Sequence, residues 1–307
     1  MVCTERIIVA ALPSFNFELS AEIFADGDRQ IRTYEKGRFR QTIRTHGKLI
    51  LATVESLGTV NKPRLCAELK SDTMLTREEK KKAEGTISVL FNLSFDLSSF
   101  YGEVKKDRIM AGLTQRLRGL KSPTTQTVFE ALVDSIVEQQ ISLKVANAIE
   151  KRLIMKFGDV LNLDGEVYFA YPTPQTLAAA SSEELRTCGL SYRKAECIKS
   201  TSTLIMEEKL DLERLKHYDS ADEVIRELDR LKGVGVWTAE LTMLRGMQRL
   251  EALPAEDLGL RRVTSHYYCG GAKITSAQAR HIARDWGRWK GLAAYYLVVA
   301  EMLGIEV

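Results

Sequence analysis

The sequence predicts an α+β protein, with an antiparallel sheet in its first third and a mostly helical remainder. Up to about residue 100, short alternating or β-branched runs are separated by turn residues such as Lys36-Gly37. From there onward apolar residues recur at helical spacing, and strand-like runs almost vanish. This change of period predicts an N-terminal α/β domain over residues 1–105 and a helical domain over residues 106–307.

Six segments of the first domain have the pattern of strands. Residues 62–84 differ, because an apolar stretch is followed by a charged one from Thr76 onward, and we expect one or two helices there, packed on the sheet. The expected strands are 6–11, 15–19, 30–34, 39–44, 49–54 and 86–93.

Three helix starts in the second domain are marked by capping boxes, in which Ser or Thr stands three residues before Glu or Gln. They run from Ser181 to Glu184, from Ser220 to Glu223 and from Thr275 to Gln278. Glycines and prolines between the periodic stretches end these helices, and at least seven helices fit into the domain.

Composition limits the classes of protein that the chain can belong to. Its 45% hydrophobic and 28% charged residues are typical of a soluble globular protein. No run approaches the roughly 18 consecutive apolar residues of a membrane helix. The five cysteines are scattered, which argues against a disulfide framework or a zinc site. We therefore expect an intracellular monomer, in the cytoplasm or nucleoid, without a membrane partner.

The most informative segment is a glycine hairpin between two predicted helices, at Gly233-Val234-Gly235. Glycines allow a sharp turn and a close approach of another chain. The N–H groups of Val234 to Trp237 would then point outward from a helix start, where an anion such as a DNA phosphate binds well. A plain αα-corner that needs glycine for packing is the alternative.

Main-chain carbonyls on the other side of this hairpin form a candidate cation site. Those of Asp229, Leu231 and Val234 can hold Na⁺ or K⁺, which would add to the attraction for a phosphate. Because the net charge is only +3, binding to nucleic acid must depend on such a local surface.

Several motifs together resemble the helix-hairpin-helix plus Gly/Pro…Asp signature (HhH-GPD) of the DNA glycosylase superfamily. The hairpin is followed by Trp237-Thr238-Ala239, then by Leu244-Arg245-Gly246, and then by Pro254 and Asp257. Residues 129–142 resemble the opening helix of that catalytic domain, and residues 189–195 resemble its mid-domain helix start. The resemblance covers most of residues 110–307 and implies a two-lobed helical domain.

The sheet-rich first domain resembles that of the inducible 3-methyladenine DNA glycosylases (glycosylase II type), which have a TATA-binding-protein-like fold there. The resemblance implies a base-excision-repair enzyme that acts on double-stranded DNA with damaged bases. Its substrates would be alkylated purines of the 3-methyladenine and 7-methylguanine type.

Asp257 matches the catalytic aspartate of that family. Breaking an N-glycosidic bond builds positive charge on the sugar, and a fixed carboxylate beside C1′ stabilises that charge. It can also orient or deprotonate the attacking water. Glu256 is a lesser candidate, and a mere helix cap is the alternative for Asp257.

Family members that also nick the strand carry a lysine where this chain has Trp237. The resemblance therefore implies a monofunctional enzyme that uses water and leaves an abasic site. The cysteine run that binds an iron–sulfur cluster in other branches is missing as well, since only Cys269 follows Asp257. We expect no required cofactor.

An aromatic pocket would attract a cationic alkylated purine by cation–π contact. Trp237 is the first candidate, and hydrophobic core packing is the alternative for each member. The further candidates are Tyr295, Tyr296, Trp286 and Trp289.

The remaining candidates would contact DNA. Gln140 or Ile141 would fill the gap that a flipped base leaves, although Ile141 can equally belong to the core. Arg245 and Arg262 can contact phosphates or form ion pairs within the fold. The hairpin contacts would come from Gly233, Val234, Gly235, Val236 and Thr238. Two other functions stay open: an oxidised-base glycosylase with lyase activity, and a non-catalytic DNA-binding module.

Overall fold

A five-stranded antiparallel sheet forms the first part of the protein. The computed structural model describes residues 2–25 and 27–307. The elements of this part are β1 (Cys3–Ala10), α1 (Phe17–Phe24), β2 (Arg32–Glu35), β3 (Arg38–Thr45), β4 (Lys48–Ser56), β5 (Arg64–Ser71) and α2 (Arg77–Leu90). The strands lie in the order β1-β5-β4-β3-β2, and α1 and α2 pack on one face.

Two-residue turns with positive φ set the register of the hairpins. Lys36-Gly37 joins β2 to β3, with φ values of 52° and 77°. Turns of this kind match the right-handed twist of the strands that they connect. Asp164-Gly165 makes the same turn between β6 (Val160–Leu163) and β7 (Glu166–Phe169). This second hairpin lies in the part of the chain where the sequence predicts almost no strand.

Three expected elements of the first domain are wrong. Residues 15–19 are not a strand, because Asn16 caps α1 by accepting the N–H of Leu19. Residues 86–93 are not a strand either, since α2 continues to Leu90 from a capping box of Thr76 and Glu79. Residues 64–71 form β5 and not a helix. Residues 65, 67, 69 and 71 are buried with period two, which is the pattern of a strand, and Cys66 on the other face is buried as well.

The rest of the chain is mostly helical, as expected. Of the three capping boxes, those at Ser181 and Thr275 are complete, whereas Ser220 only accepts the N–H of Asp222. The helices are α3 (Ser98–Val104), α4 (Arg108–Arg116), α5 (Val128–Glu138), α6 (Leu143–Phe157), α7 (Pro174–Ala179), α8 (Ser182–Arg186), α9 (Tyr192–Met206), α10 (Ala221–Asp229), α11 (Val236–Met247), α12 (Leu258–Cys269), α13 (Ser276–Ile282) and α14 (Lys290–Met302).

Three large apolar clusters form the hydrophobic core. One lies between the sheet and helices α1 and α2, within residues 9–93. The second joins α5, α6, α9, α10 and α11, within residues 128–252. The third joins residues 97–120 to residues 250–300. The helical part thus has two lobes, and the chain passes from the second cluster to the third just after α11. The domain boundary expected near residue 105 stays a prediction.

Polar contacts attach the sheet to the helical part. Arg44 of β3 forms an ion pair with Asp159, and the side chain of Gln126 accepts the N–H of Arg44 and donates to the carbonyl of Thr42. Leu51 of β4 packs on the β6–β7 hairpin. Within the described residues, we find no helix that has both the length and the apolar character needed to cross a membrane.

Candidate active site

The glycine hairpin lies between α10 and α11 and is closed by its own backbone. The N–H of Leu231 donates to the carbonyl of Leu228, and the N–H of Val234 donates to the carbonyl of Leu231, both at 3.0 Å. Gly233 has a φ of +89°, and a Cβ there would lie 3.3 Å from Sγ of Cys197. The turn therefore requires glycine at this position.

Gly235 differs from Gly233 because its surroundings are open. It is the N-cap of α11, its φ is −116°, and no described atom lies within 4 Å of a Cβ built on it. N–H groups in the first turn of a helix have no acceptor within the helix. Among the described residues no side chain caps this end of α11. The N–H groups of Val236 and Trp237 in the first turn can therefore bind an outside anion.

Two hairpin residues differ from the prediction. The N–H of Val234 is used within the turn, and its side chain is buried, so Val234 does not offer a free donor. The side chain of Thr238 is buried too, and its hydroxyl accepts a hydrogen bond from Nε2 of Gln139 at 2.9 Å. The backbone N–H of Thr238 therefore remains its one candidate donor to a phosphate.

Gln140 and Ile141 lie at the surface beside this hairpin, in the turn between α5 and α6. Gln140 is exposed and has a φ of +57°. Ile141 is 36% exposed, so the alternative of a core position does not hold for it. Both residues are thus at the surface, and their insertion into a duplex stays a prediction.

Asp257 is the N-cap of α12, and its two carboxylate oxygens have different partners. Oδ1 accepts the N–H of Leu260 at 2.8 Å, which is the capping bond. Oδ2 accepts a hydrogen bond from Nε1 of Trp237 at 3.1 Å. Asp257 is therefore a helix cap, and it is also held against the hairpin helix. The side chain is partly exposed.

The loop before Asp257 is clamped by Arg280 of α13. This guanidinium donates to both oxygens of the buried Glu240 on α11, at 3.0 and 3.2 Å. It also contacts the carboxylate of Glu256 at 2.9 Å and the carbonyl of Leu253 at 3.1 Å. Glu256 is thus engaged in an ion pair, which disfavours it as the catalytic carboxylate.

Three of the expected pocket aromatics lie in the third core cluster instead. Trp286 is 1% exposed, and its Nε1 donates to Asp107 at 3.2 Å. Tyr296 is fully buried, and its hydroxyl donates to the carbonyl of Leu120. Trp289 packs edge-on against Phe100. Core packing is therefore the correct interpretation for them.

Tyr295 also packs against the third cluster, and its buried hydroxyl has no hydrogen-bond partner among the described residues. Of the five expected pocket aromatics, only Trp237 contacts Asp257 in the structure.

The two candidate arginines form ion pairs within the fold. Arg245 of α11 contacts Glu138 of α5 at 2.7 Å, and this pair ties the two helices together. Arg262 of α12 forms a surface pair with Glu301. The ion-pair alternative therefore describes both, and the phosphate contacts expected of them have no support in this geometry.

The carbonyls expected to hold a monovalent cation lie at the end of α10 and in the hairpin. The last carbonyls of a helix have no partner within it, which suits Asp229. The carbonyl of Leu231 already accepts the N–H of Val234, so its second lone pair would bind the ion. The residues thus fit such a cation, whose binding stays a prediction.

A comparison with known protein families identifies the fold and the class of this chain. A family model described as "HhH-GPD superfamily base excision DNA repair protein" matches residues 133–288, which is slightly more than half of the chain. The chain belongs to the HhH-GPD superfamily. This membership confirms the α+β fold class and the predicted class of base-excision-repair DNA glycosylase.

Relatives of this HhH-GPD protein match it over most of their length. The 3-methyladenine DNA glycosylase from Archaeoglobus fulgidus has a TM-score of 0.84 at 26% identity, covering 99% of this chain and 100% of that one. The DNA-3-methyladenine glycosylase of Bacillus subtilis is 24% identical over 80% of this chain and 82% of that protein.

A third match shows the fold alone. The 8-oxoguanine glycosylase/lyase of Clostridium acetobutylicum, solved in complex with double-stranded DNA, has a TM-score of 0.76 at 20% identity, covering 99% of each chain.

The contacts of three residues in this HhH-GPD site were not predicted from the sequence. They involve Gln139, Lys194 and Arg280, whose partners are distant in the chain. One sequence signal was available for Arg280, since Glu240 is a charged residue among the apolar residues of α11 and needs a buried partner. Gln139 and Lys194 carry no comparable local signal.

Proposed function

We propose that the protein is a monofunctional DNA glycosylase that hydrolyses the N-glycosidic bond of alkylated purines in double-stranded DNA and leaves an abasic site. The observation that carries this proposal is the hydrogen bond from Trp237 to Asp257, next to the open N-terminus of α11. This bond places the carboxylate of Asp257 in the same site as the N–H groups that would bind a phosphate. The names of the relatives from Archaeoglobus and Bacillus support alkylated purines as the substrate class.

In the proposed reaction the bond between C1′ and the purine nitrogen breaks, and a C1′–O bond to water forms. A purine alkylated at N3 or N7 is cationic, so it takes the electron pair of the broken bond and leaves as a neutral base. Positive charge develops on the sugar, and the carboxylate of Asp257 stabilises it. The water loses a proton to Asp257 or to solvent as it attacks.

Trp237 supports this reaction in two ways. Its indole N–H holds one carboxylate oxygen of Asp257, so the charge is preorganised before substrate binds. Its ring can also attract the cationic base by a cation–π contact. Because it stands where lyases of the family carry lysine, no amine is supplied there for a Schiff base.

The target nucleotide would rotate out of the duplex before the reaction, at a cost of a few kcal/mol. We propose that Gln140 or Ile141 fills the gap while the N–H groups at the start of α11 hold a phosphate. A Na⁺ or K⁺ ion on the carbonyls of Asp229, Leu231 and Val234 would add positive charge beside that phosphate. We further propose that the enzyme acts inside the cell as a monomer and requires no other cofactor.

The test is to incubate the protein with methylated duplex DNA and to identify the released bases by chromatography. Release of 3-methyladenine or 7-methylguanine, with intact strands at the abasic sites, supports the proposal. Absence of any released modified base across a range of salt concentrations would contradict it. Salt is varied because phosphate contacts make DNA binding dependent on ionic strength.

A further inference from the structure

Gln139 joins the turn between α5 and α6 to the glycine hairpin. Its Nε2 donates one hydrogen bond to the carbonyl of Gly233 and another to the hydroxyl of Thr238, both at 2.9 Å. A glutamine amide group has two N–H donors, so both are used in these bonds. Gln139 therefore connects the turn to the bend before α11 and to the first turn of α11 itself.

Lys194, near the start of α9, holds the same turn from the other side. Its ammonium donates to the carbonyl of Val137 at 2.9 Å and to the carbonyl of Gln139 at 2.7 Å. These carbonyls are at the C-terminal end of α5, where they lack partners within the helix and where the helix dipole favours a cation. Lys194 thus supplies hydrogen-bond donors to carbonyl groups at the C-terminal end of α5, where the chain leaves the helix.

Gln140, which follows these contacts and precedes α6, has a backbone conformation that costs free energy. Gln140 has a φ of +57°, in the left-handed region that non-glycine residues rarely adopt. Such a conformation persists when neighbouring contacts hold the backbone on both sides. Here the contacts of Gln139 fix one side, and the start of α6, where Ser142 accepts the N–H of Val145, fixes the other.

We propose that Gln139 and Lys194 are positioning residues that hold Gln140 and Ile141 in a fixed relation to the phosphate-binding hairpin. The hairpin and the turn between α5 and α6 then act as one rigid unit. This unit binds the DNA backbone and also fills the gap that the flipped nucleotide leaves in the duplex. A unit that is already ordered loses less conformational entropy when it enters the duplex. This inference rests on the proposed function and assigns the two residues to base extrusion, not to bond cleavage.

The experiment compares the rate of base release for one lesion in double-stranded and in single-stranded DNA. The rate of release of 7-methylguanine is measured at excess protein, from a duplex and from the same oligonucleotide as a single strand. The variants are Gln139→Met, which removes both donors at similar size, and Lys194→Met. Lys194→Arg is the conservative variant that can still donate to two carbonyls. Lys199→Met is the matched control, because it removes a lysine farther along α9.

We expect Gln139→Met and Lys194→Met to slow release from the duplex by about 10-fold, the effect of losing one or two hydrogen bonds. Release from the single strand, which needs no extrusion, is expected to stay within about 2-fold of the unchanged protein. Lys194→Arg and Lys199→Met are expected to keep the duplex rate. Equal losses on both substrates, or no loss on the duplex, would overturn the proposal.

A second measurement reports extrusion without cleavage. In the Asp257→Asn background, 2-aminopurine placed beside the lesion should fluoresce more strongly as the stack opens, and adding Gln139→Met should reduce that rise at saturating protein. An unchanged rise would also overturn the proposal. If the unchanged protein releases no base from either substrate, the proposed function fails, and that result is distinct from any change in the ratio of the two rates.

Discussion

The indole Nε1 of Trp237 lies 3.1 Å from Oδ2 of Asp257 and donates a hydrogen bond to it. Trp237 is in the first turn of the helix that follows the hairpin, and Asp257 begins a helix of the other lobe. The bond therefore crosses the junction between the two helical core clusters. Since Leu260 holds the other oxygen, the orientation of the carboxylate is fixed from both sides.

Trp237→Phe should slow base release about 10-fold or more. The change keeps an aromatic ring but removes the N–H, and hydrogen bonds to charged groups contribute about 1.5–3 kcal/mol. The measurement is the single-turnover rate of 7-methylguanine release. Trp286→Phe is the matched control, because it removes an indole hydrogen bond to Asp107 in the core. An equal effect of both changes on the rate, at equal stability, would contradict the orienting role of Trp237.

The two hairpin glycines should respond differently to alanine. Gly233→Ala is expected to lower the free energy of unfolding by about 1–2 kcal/mol, because its φ of +89° disfavours an L-residue. Gly235→Ala should leave stability unchanged, since its φ is −116° and the space around it is open. It should instead weaken duplex binding, because the new methyl group stands where a DNA backbone would approach.

Urea unfolding and fluorescence anisotropy with labelled duplex, at one fixed salt concentration, separate these two effects. A pair of variants with the same stability and the same affinity would count against a close approach of DNA at Gly235. Loss of stability in Gly235→Ala would contradict open space around Gly235.

Glu130→Gln should remove part of the pH dependence of stability. Glu130 of α5 is 4% exposed, and burial raises its pKa to about 7 from 4.5, with the nearby Arg32 opposing and Glu150 adding to the shift. Because the folded-state pKa is the higher one, the native protein binds more protons between these values. The free energy of unfolding therefore falls as pH rises from about 4.5 to about 7.

Glutamine cannot ionise, and its carbonyl oxygen can still accept the N–H of Gln126. We expect the variant to be more stable than the unchanged protein at pH values above that range, by up to about 3 kcal/mol. Urea unfolding across the pH range measures this, with the exposed Glu183→Gln as control. An identical pH dependence in Glu130→Gln and the unchanged protein would contradict the prediction.

Borohydride should trap no covalent adduct between the protein and methylated duplex DNA. A trapped adduct requires an amine at C1′, and Trp237 stands where lyases of the family have lysine. The ammonium of Lys194 is held by two carbonyls. Denaturing gel electrophoresis detects an adduct, with a lyase of the same family as positive control. A band at the mass of the complex would favour the bifunctional alternative.

The sequence predicted the glycine turn between two helices and the position of Asp257 at a helix start, because both depend on local spacing. Their roles in binding DNA and in catalysis stay predictions. The prediction was wrong for β5, where a segment with a period of two was taken for a helix. It was also wrong for Trp286 and Tyr296, because the spacing of aromatic residues does not tell whether they line a ligand pocket or pack in the core. The contacts of Gln139 with Gly233 and Thr238 span 94 and 99 residues of sequence. Periodicity indicates which side of an element is buried but not what covers it.

The most direct test of a catalytic role for Asp257 is base release by Asp257→Asn. Asparagine can still cap α12 through its carbonyl oxygen, but it carries no charge and turns an N–H₂ group toward Trp237. We predict that release of 7-methylguanine from duplex DNA slows at least about 100-fold, the size of losing a transition-state contact, while duplex binding stays the same or tightens. Release by the variant at the rate of the unchanged protein would contradict a catalytic role for Asp257.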